Sequence, residues 1–226
     1  MYKTGEENDE RKSMGGRRMT KEQEKFSYIK NYKDYDVVGD DIDYKVFSDC
    51  GPKEVVLQFE ETDSQIDWIN NLLFIPWPVK LGNKIAWTTL GYARAYKSAN
   101  DIPMQELIKE IASHPDFKVV IRGWSFGSAM SKLAARHYYN IAQTPVDELT
   151  TFGDVRCWLN PFFKNKAVRL REYVTANDFI TWCVPFYHRD KACRVGRKFS
   201  IKEIFKTEYY HTHYEDYDYA KWENEK

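Results

Sequence analysis

The sequence predicts an α/β fold in which a mostly parallel central sheet is flanked by helices. Short apolar segments alternate along the chain with segments whose apolar residues recur at helical spacing, and this alternation is typical of a parallel sheet. The 226 residues are 42% hydrophobic and 30% charged, which is enough apolar surface for a folded core and excludes a wholly disordered chain. We expect a polar, mobile N-terminal arm over residues 1–18 and a single domain over residues 19–226.

The individual elements follow from periodicity and from the signals at their ends. Thr20 and Gln23 have the spacing of a capping box, which predicts a helix over about 21–32. Other helices are predicted at 64–73, 90–96, 103–113 and 129–140, and strands at 44–47, 55–59, 118–121, 149–152 and 168–174. Two prolines and a glycine predict a loop over 75–82.

The charge balance argues against several classes of protein. Lys plus Arg and Asp plus Glu each number 34, so the net charge is zero, which argues against nucleic acid as the main partner. No segment approaches the roughly 20 apolar residues that a membrane-spanning helix needs. The N-terminus lacks the apolar segment of a secretory signal peptide, so we expect a cytoplasmic location.

One short segment carries a pattern with chemical meaning. Gly123-Trp124-Ser125-Phe126-Gly127 has the form G-x-S-x-G, follows an apolar strand and precedes an amphipathic helix. Glycines allow the sharp turn, and the helix N-terminus favours negative charge developing near the serine hydroxyl. The segment predicts a nucleophilic Ser125, with a purely structural glycine turn as the alternative.

A serine hydroxyl needs a base, and the base needs an orienting carboxylate. Downstream, Asp178 follows the predicted strand over 168–174, where a loop could present an acid. His211 and His213 lie near the C-terminal end of the chain. The order serine, acid, histidine is the one found in hydrolases with this type of turn.

Five blocks of the sequence, in the same order, resemble the class 3 (fungal-type) lipases of the α/β-hydrolase superfamily. The resemblance extends from about Val55 to Tyr217. The blocks are VVLQFEETDSQIDWINNLLF, LGYARAY, IRGWSFGSAMSKLAA, TFGDVRCWLN and REYVTANDFITWCVPF. The resemblance implies an α/β-hydrolase fold and a serine esterase or lipase that cleaves lipid-like carboxylic esters without a cofactor.

Residue by residue, the resemblance makes Ser125 the nucleophile and Asp178 the acid. Family members show a histidine followed by a tyrosine either four residues on, which fits His213, or three residues on, which fits His211. We expect His213 to be the base and keep His211 as the second choice.

The resemblance also assigns the groups around the nucleophile. The backbone N–H groups of Thr62 and Phe126 would form the oxyanion hole. The helix predicted after Thr62 would be a lid, with Trp68 and Ile69 facing the cleft and making transient contact with a lipid surface; a fixed helix packed on the core is the alternative.

Two other functions remain open at this point. His211, His213, Asp216 and Asp218 could form a metal cluster, but their spacing does not reproduce a metallohydrolase signature, so no metal is expected. The chain could instead be a catalytically weak or inactive binding protein. Glu60-Glu61 supports this alternative, because the family usually has Arg-Gly there.

Overall fold

The computed structural model describes residues 19–34, 42–47, 53–59, 75–100, 102–196 and 199–219. Its central sheet has six strands in the order β1-β2-β5-β6-β7-β8. β1 pairs antiparallel with β2, and all other neighbours are parallel. The strands are β1 (Tyr44–Phe47), β2 (Glu54–Phe59), β5 (Lys118–Trp124), β6 (Val146–Phe152), β7 (Ala167–Thr175) and β8 (Ala192–Val195). The predicted α/β class with a mostly parallel sheet is confirmed.

The helices lie between the strands, as the alternation requires. They are α1 (Lys21–Asn31), α2 (Leu90–Ala99), α3 (Ile102–Ser113), α4 (Phe126–Ala142) and α5 (Thr207–Thr212). Short 3₁₀ helices span Phe179–Trp182, Ile201–Lys206 and Tyr214–Asp216. At the start of α1, the Gln23 N–H donates to Thr20 Oγ1 and the Thr20 N–H donates to Gln23 Oε1, so the predicted capping box is present.

The prediction of a loop over 75–82 is wrong. Strands β3 (Pro76–Leu81) and β4 (Lys84–Thr89) form an antiparallel hairpin that turns at Gly82 and Asn83. Each strand of an isolated hairpin has one unpaired edge, and prolines two residues apart can both face that edge without losing a ladder hydrogen bond. Gly82 adopts φ +62°, as a tight hairpin turn requires. The helix predicted at 64–73 and the arm over 1–18 lie outside the described residues.

The sheet buries one cluster of apolar side chains on each face. Residues of α2, α3 and α4 form the larger cluster with β2 and β5. The smaller cluster is mostly aromatic and lies under α1 and the C-terminal segment; its fully buried rings are Phe26, Phe152, Tyr173, Tyr214 and Tyr219. The aromatic cluster therefore joins the first described helix to the last described segment of the chain.

Polar contacts strengthen this junction. Gln23 Nε2 donates to the carbonyl oxygens of Glu215 (2.6 Å) and Tyr217 (3.1 Å), and Lys30 Nζ donates to the carbonyl of Thr212 (2.5 Å). Helix α1 thus holds the backbone on the C-terminal side of α5. Among the described helices, none is long and apolar enough to cross a membrane.

Candidate active site

Ser125 lies in a sharp turn between β5 and α4. Its backbone adopts φ 54° and ψ −121°, a conformation that a residue with a side chain rarely takes and that costs on the order of 1–3 kcal/mol. A Cβ at Gly123 would lie 2.4 Å from the carbonyl oxygen of Gly127 and 2.5 Å from Ser131 Oγ, so only glycine fits. The turn predicted from G-x-S-x-G is therefore present, and it places the serine at the N-terminus of α4.

The side chains of Ser125, His211 and Asp178 form a connected chain of hydrogen bonds. His211 Nε2 lies 2.6 Å from Ser125 Oγ, and His211 Nδ1 lies 2.7 Å from Asp178 Oδ2. An ionised carboxylate only accepts hydrogen bonds, so Nδ1 carries the proton and Nε2 is free to accept from the serine hydroxyl. All three residues are buried.

The choice of His213 as the base is wrong, because the structure brings His211 to the serine. His213 stacks on Tyr209 with 4.2 Å between ring centroids, and its Nδ1 contacts the Tyr209 carbonyl at 3.0 Å. His211 ends one turn of α5, and residues two apart on a helix point about 200° apart, so only one of the two can face Ser125. The second choice, His211 with a tyrosine three residues on, is the arrangement observed.

That tyrosine, Tyr214, supports the carboxylate. Its hydroxyl donates to Asp178 Oδ2 (2.9 Å) and accepts from the Thr175 N–H at the end of β7 (3.2 Å). Burial, and then the neighbouring Asp178 carboxylate, raise the pKa of Tyr214 well above its usual value, so the hydroxyl keeps its proton. The sequence analysis treated Tyr214 only as a marker for the histidine and missed this contact.

Two further groups that the sequence analysis missed fix the position of His211. Trp124 Nε1 donates to the His211 carbonyl at 3.0 Å. Gly153 adopts φ +53°, and a Cβ there would lie 2.7 Å from His211 Cε1. The glycine of the TFG block was therefore a usable signal, because the histidine ring occupies the space that a side chain at Gly153 would need.

The turn that contains Gly153 is held from below by a buried ion pair. Lys132 Nζ, on α4, lies 2.9 Å from Asp154 Oδ1 and donates to the carbonyl of Val155 at 2.5 Å. Burial lowers the pKa of Lys132, but Asp154 and Glu172 raise it by more, so the amine is charged. Burial, and then repulsion from Asp154, raise the pKa of Glu172, which favours its neutral form. The pair ties α4 to the turn beside His211.

The oxyanion and lid assignments are only partly visible. The Phe126 N–H is the first amide of α4, and within the described ranges no acceptor takes it up. Thr62, Trp68 and Ile69 lie outside the described residues, as do Glu60 and Glu61. In the part of the chain that is described, no three metal-ligating side chains gather into a metal site.

Comparison with known proteins agrees with this architecture. The model of the family "Lipase (class 3)" matches residues 56–188, which is more than half of the chain. No curated protein matches the sequence significantly.

Several solved lipase structures share the fold. The Rhizomucor miehei lipase propeptide complex has 20% sequence identity and a TM-score of 0.57, and the match covers 68% of this chain and 52% of that chain. Lipase II from Rhizopus niveus has 19% identity and a TM-score of 0.56, with 74% and 65% covered. A triacylglycerol lipase whose catalytic centre is a serine protease triad has 21% identity and a TM-score of 0.55, with 69% and 62% covered. The chain thus spans about half the length of the first of these proteins, and such identities establish the fold alone.

Proposed function

The chain belongs to the class 3 lipase family, and on that premise we propose that it hydrolyses carboxylic esters of lipid-like acids through Ser125, His211 and Asp178. One observation carries the proposal: a buried histidine hydrogen-bonded at one ring nitrogen to a serine hydroxyl and at the other to a carboxylate. This arrangement supplies a nucleophile, a base and a group that orients the base.

In the proposed reaction, Ser125 Oγ attacks the ester carbonyl while its proton passes to His211 Nε2. Asp178 stabilises the imidazolium that forms. The imidazolium then protonates the departing alkoxide, which leaves as the alcohol, and an acyl-serine remains. Water gives a proton to Nε2 and attacks the acyl carbon. Expulsion of Ser125 Oγ, which takes that proton back, releases the carboxylic acid.

Negative charge on the carbonyl oxygen needs hydrogen-bond donors during both attacks. The Phe126 N–H, at the positive end of α4, is the proposed first donor, and the Thr62 N–H is the proposed second. Each such donor lowers the barrier by roughly 3–4 kcal/mol in enzymes of this kind. The N-terminal position of Phe126 in α4 supports the first assignment.

An apolar approach to the site supports a lipid-like substrate. The segment that leads into α5 exposes apolar side chains to solvent, with Ile201 72% and Phe205 95% accessible. They lie four residues apart, on one side of a helical segment, within ten residues of His211. Isolated exposed apolar residues are common, but two such residues next to a proposed ester site favour an acyl chain over a polar substrate.

The test compares three alanine variants on a chain-length series of nitrophenyl esters. Ser125→Ala and His211→Ala should each lower kcat by roughly 10⁴-fold or more, because each removes a member of one catalytic unit. His213→Ala should keep nearly full activity and is the matched control. Hydrolysis by Ser125→Ala at the wild-type rate would refute the proposal.

A fluorophosphonate probe distinguishes this enzyme from an inactive binding protein. Labelling should occur in the wild type and be lost in both Ser125→Ala and His211→Ala, since the serine reacts only when a base activates it. A folded wild-type protein that resists the probe and hydrolyses no ester would favour the binding protein.

A further inference from the structure

The β3–β4 hairpin and the helix after it carry an unusual distribution of charge. Residues 75–100 contain four lysines or arginines and no aspartate or glutamate, although the whole chain has no net charge. The four are Lys80, Lys84, Arg94 and Lys97, and all four are exposed. Within the described ranges, none of the four side chains has an ion-pair or hydrogen-bond partner. Their charge is therefore available to an external anion.

The same hairpin presents large apolar side chains to solvent. Ile85 is 66% exposed and Trp87 is 48% exposed. In the hairpin register Trp87 lies opposite Pro78, and Ile85 lies opposite Lys80, so these four side chains share one face. That face combines a tryptophan with a cation, and tryptophan is enriched where proteins meet the boundary between water and lipid.

A cavity of about 780 Å³ opens beside this face. Four cationic side chains line it, and no lining residue is acidic; the cations are Lys80, Arg94, Lys97 and Lys109. Trp77, which is 47% exposed, also lines it, while Leu90, Ala93 and Ile141 supply apolar wall. His137 and Ile141 lie near the end of α4 away from Ser125, about 18 Å along the helix from Ser125 to His137. The cavity is therefore distinct from the proposed ester site.

We infer that this basic and aromatic surface docks the protein on a bilayer that contains anionic phospholipid. Trp87 and Ile85 enter the headgroup region, and the cations of the hairpin and α2 bind lipid phosphates. The cavity accepts the anionic headgroup of one lipid. Charge selects this occupant over a neutral lipid surface, because every ionised group along 75–100 is positive.

The other exposed apolar segment does not have this charge pattern. Between Ile201 and α5, Glu203 lies 3.1 Å from Lys206 and pairs with it, and Glu208 adds a further negative charge. That segment suits an uncharged acyl chain near the ester site, whereas the hairpin suits anionic headgroups. The two surfaces can therefore be tested separately.

The experiment measures partition onto vesicles of phosphatidylcholine alone and of phosphatidylcholine with phosphatidylserine. The wild type should bind the anionic vesicles more tightly, with an affinity that falls as salt is raised. Lys80→Gln with Lys84→Gln should weaken binding to anionic vesicles by about thirtyfold, since each cation near an anionic surface contributes about fivefold. Lys21→Gln with Lys33→Gln, at two exposed lysines of the N-terminal region, makes the same charge change and should have little effect.

Two further variants separate this surface from catalysis. Trp87→Ser should weaken binding to anionic vesicles while leaving hydrolysis of a short soluble ester unchanged. Ser125→Ala should bind vesicles like the wild type, so loss of the proposed ester chemistry would leave the docking result readable.

Three results would overturn the inference. The first is equal binding to neutral and anionic vesicles. The second is equal loss of binding in the hairpin and control lysine variants. The third is a dimer, detected by light scattering, that Trp87→Ser dissociates, which would assign the surface to a second copy of this chain.

Discussion

Replacing Gly153 with alanine tests whether the histidine position controls the reaction rate. A Cβ at Gly153 would lie 2.7 Å from His211 Cε1 and 3.0 Å from Nδ1, whereas carbon atoms in ordinary contact are about 3.5 Å apart. The ring must therefore retreat by about 0.8 Å, which breaks the alignment of Nε2 with Ser125 Oγ. A displacement of about 1 Å in a reacting group costs on the order of 10²-fold in rate. We expect kcat of Gly153→Ala to fall by about that factor.

Gly196 provides a matched control for the backbone. It adopts φ +78°, and a Cβ there would lie 2.8 Å from Tyr217 Cε1, so its replacement brings similar strain and crowding away from His211. A side chain in the left-handed region costs about 1–2 kcal/mol, which should lower the Tm of both variants by about 2–8 °C. Only Gly153→Ala should lose activity.

The assay measures kcat and KM on a soluble nitrophenyl ester, together with thermal unfolding of each variant. Equal kcat values for Gly153→Ala and Gly196→Ala in folded protein would refute the reasoning. It would mean that the ring of His211 can move by most of an ångström without consequence for proton transfer.

Three other perturbations follow from buried polar groups. Tyr214→Phe removes a hydrogen bond to the Asp178 carboxylate and should lower kcat by about tenfold with KM unchanged, since bonds to charged groups contribute about 1.5–3 kcal/mol; an unchanged kcat would contradict this. Burial lowers the pKa of His137 to about 4. The unfolded chain takes up this proton near pH 6.5, so stability should fall by up to about 3 kcal/mol as the pH drops from 6.5 to 4. Urea unfolding of His137→Gln across this range should lack that component, and an identical pH dependence would exclude it. Lys132→Met leaves Asp154 buried without its cation and should lower the free energy of unfolding by about 3–5 kcal/mol, measured by urea titration; a loss below about 1 kcal/mol would show that the pair contributes little.

The sequence predicts the fold and two of the three central side chains well, because these depend on local patterns. Apolar periodicity and the capping box locate α1 and the parallel strands, and G-x-S-x-G locates Ser125. The choice between His211 and His213 could not be made from spacing, because it depends on where α5 ends and which side of it faces Ser125. Those properties are set by tertiary packing rather than by local sequence.

The hairpin shows a different reason for failure. Prolines at 76 and 78 indicate a loop when local propensity alone is considered, whereas an unpaired strand edge tolerates them. The Gly82-Asn83 pair flanked by apolar residues was a hairpin signal that this weighting overrode. The contacts of Trp124 and Gly153 with His211 join residues far apart in the chain, so no local pattern could have revealed them.

The brace between α1 and the C-terminal segment limits how far this protein can be trimmed. A fragment cut at the ends of the family match, residues 56–188, would keep Ser125 and Asp178 but lose His211. A longer fragment that keeps His211 but begins after α1 would lose Phe26 from the aromatic cluster and the Gln23 and Lys30 contacts beyond α5. Recombinant boundaries for this chain should therefore be drawn outside α1, since the reactive centre is completed by the segments that flank the recognisable family region.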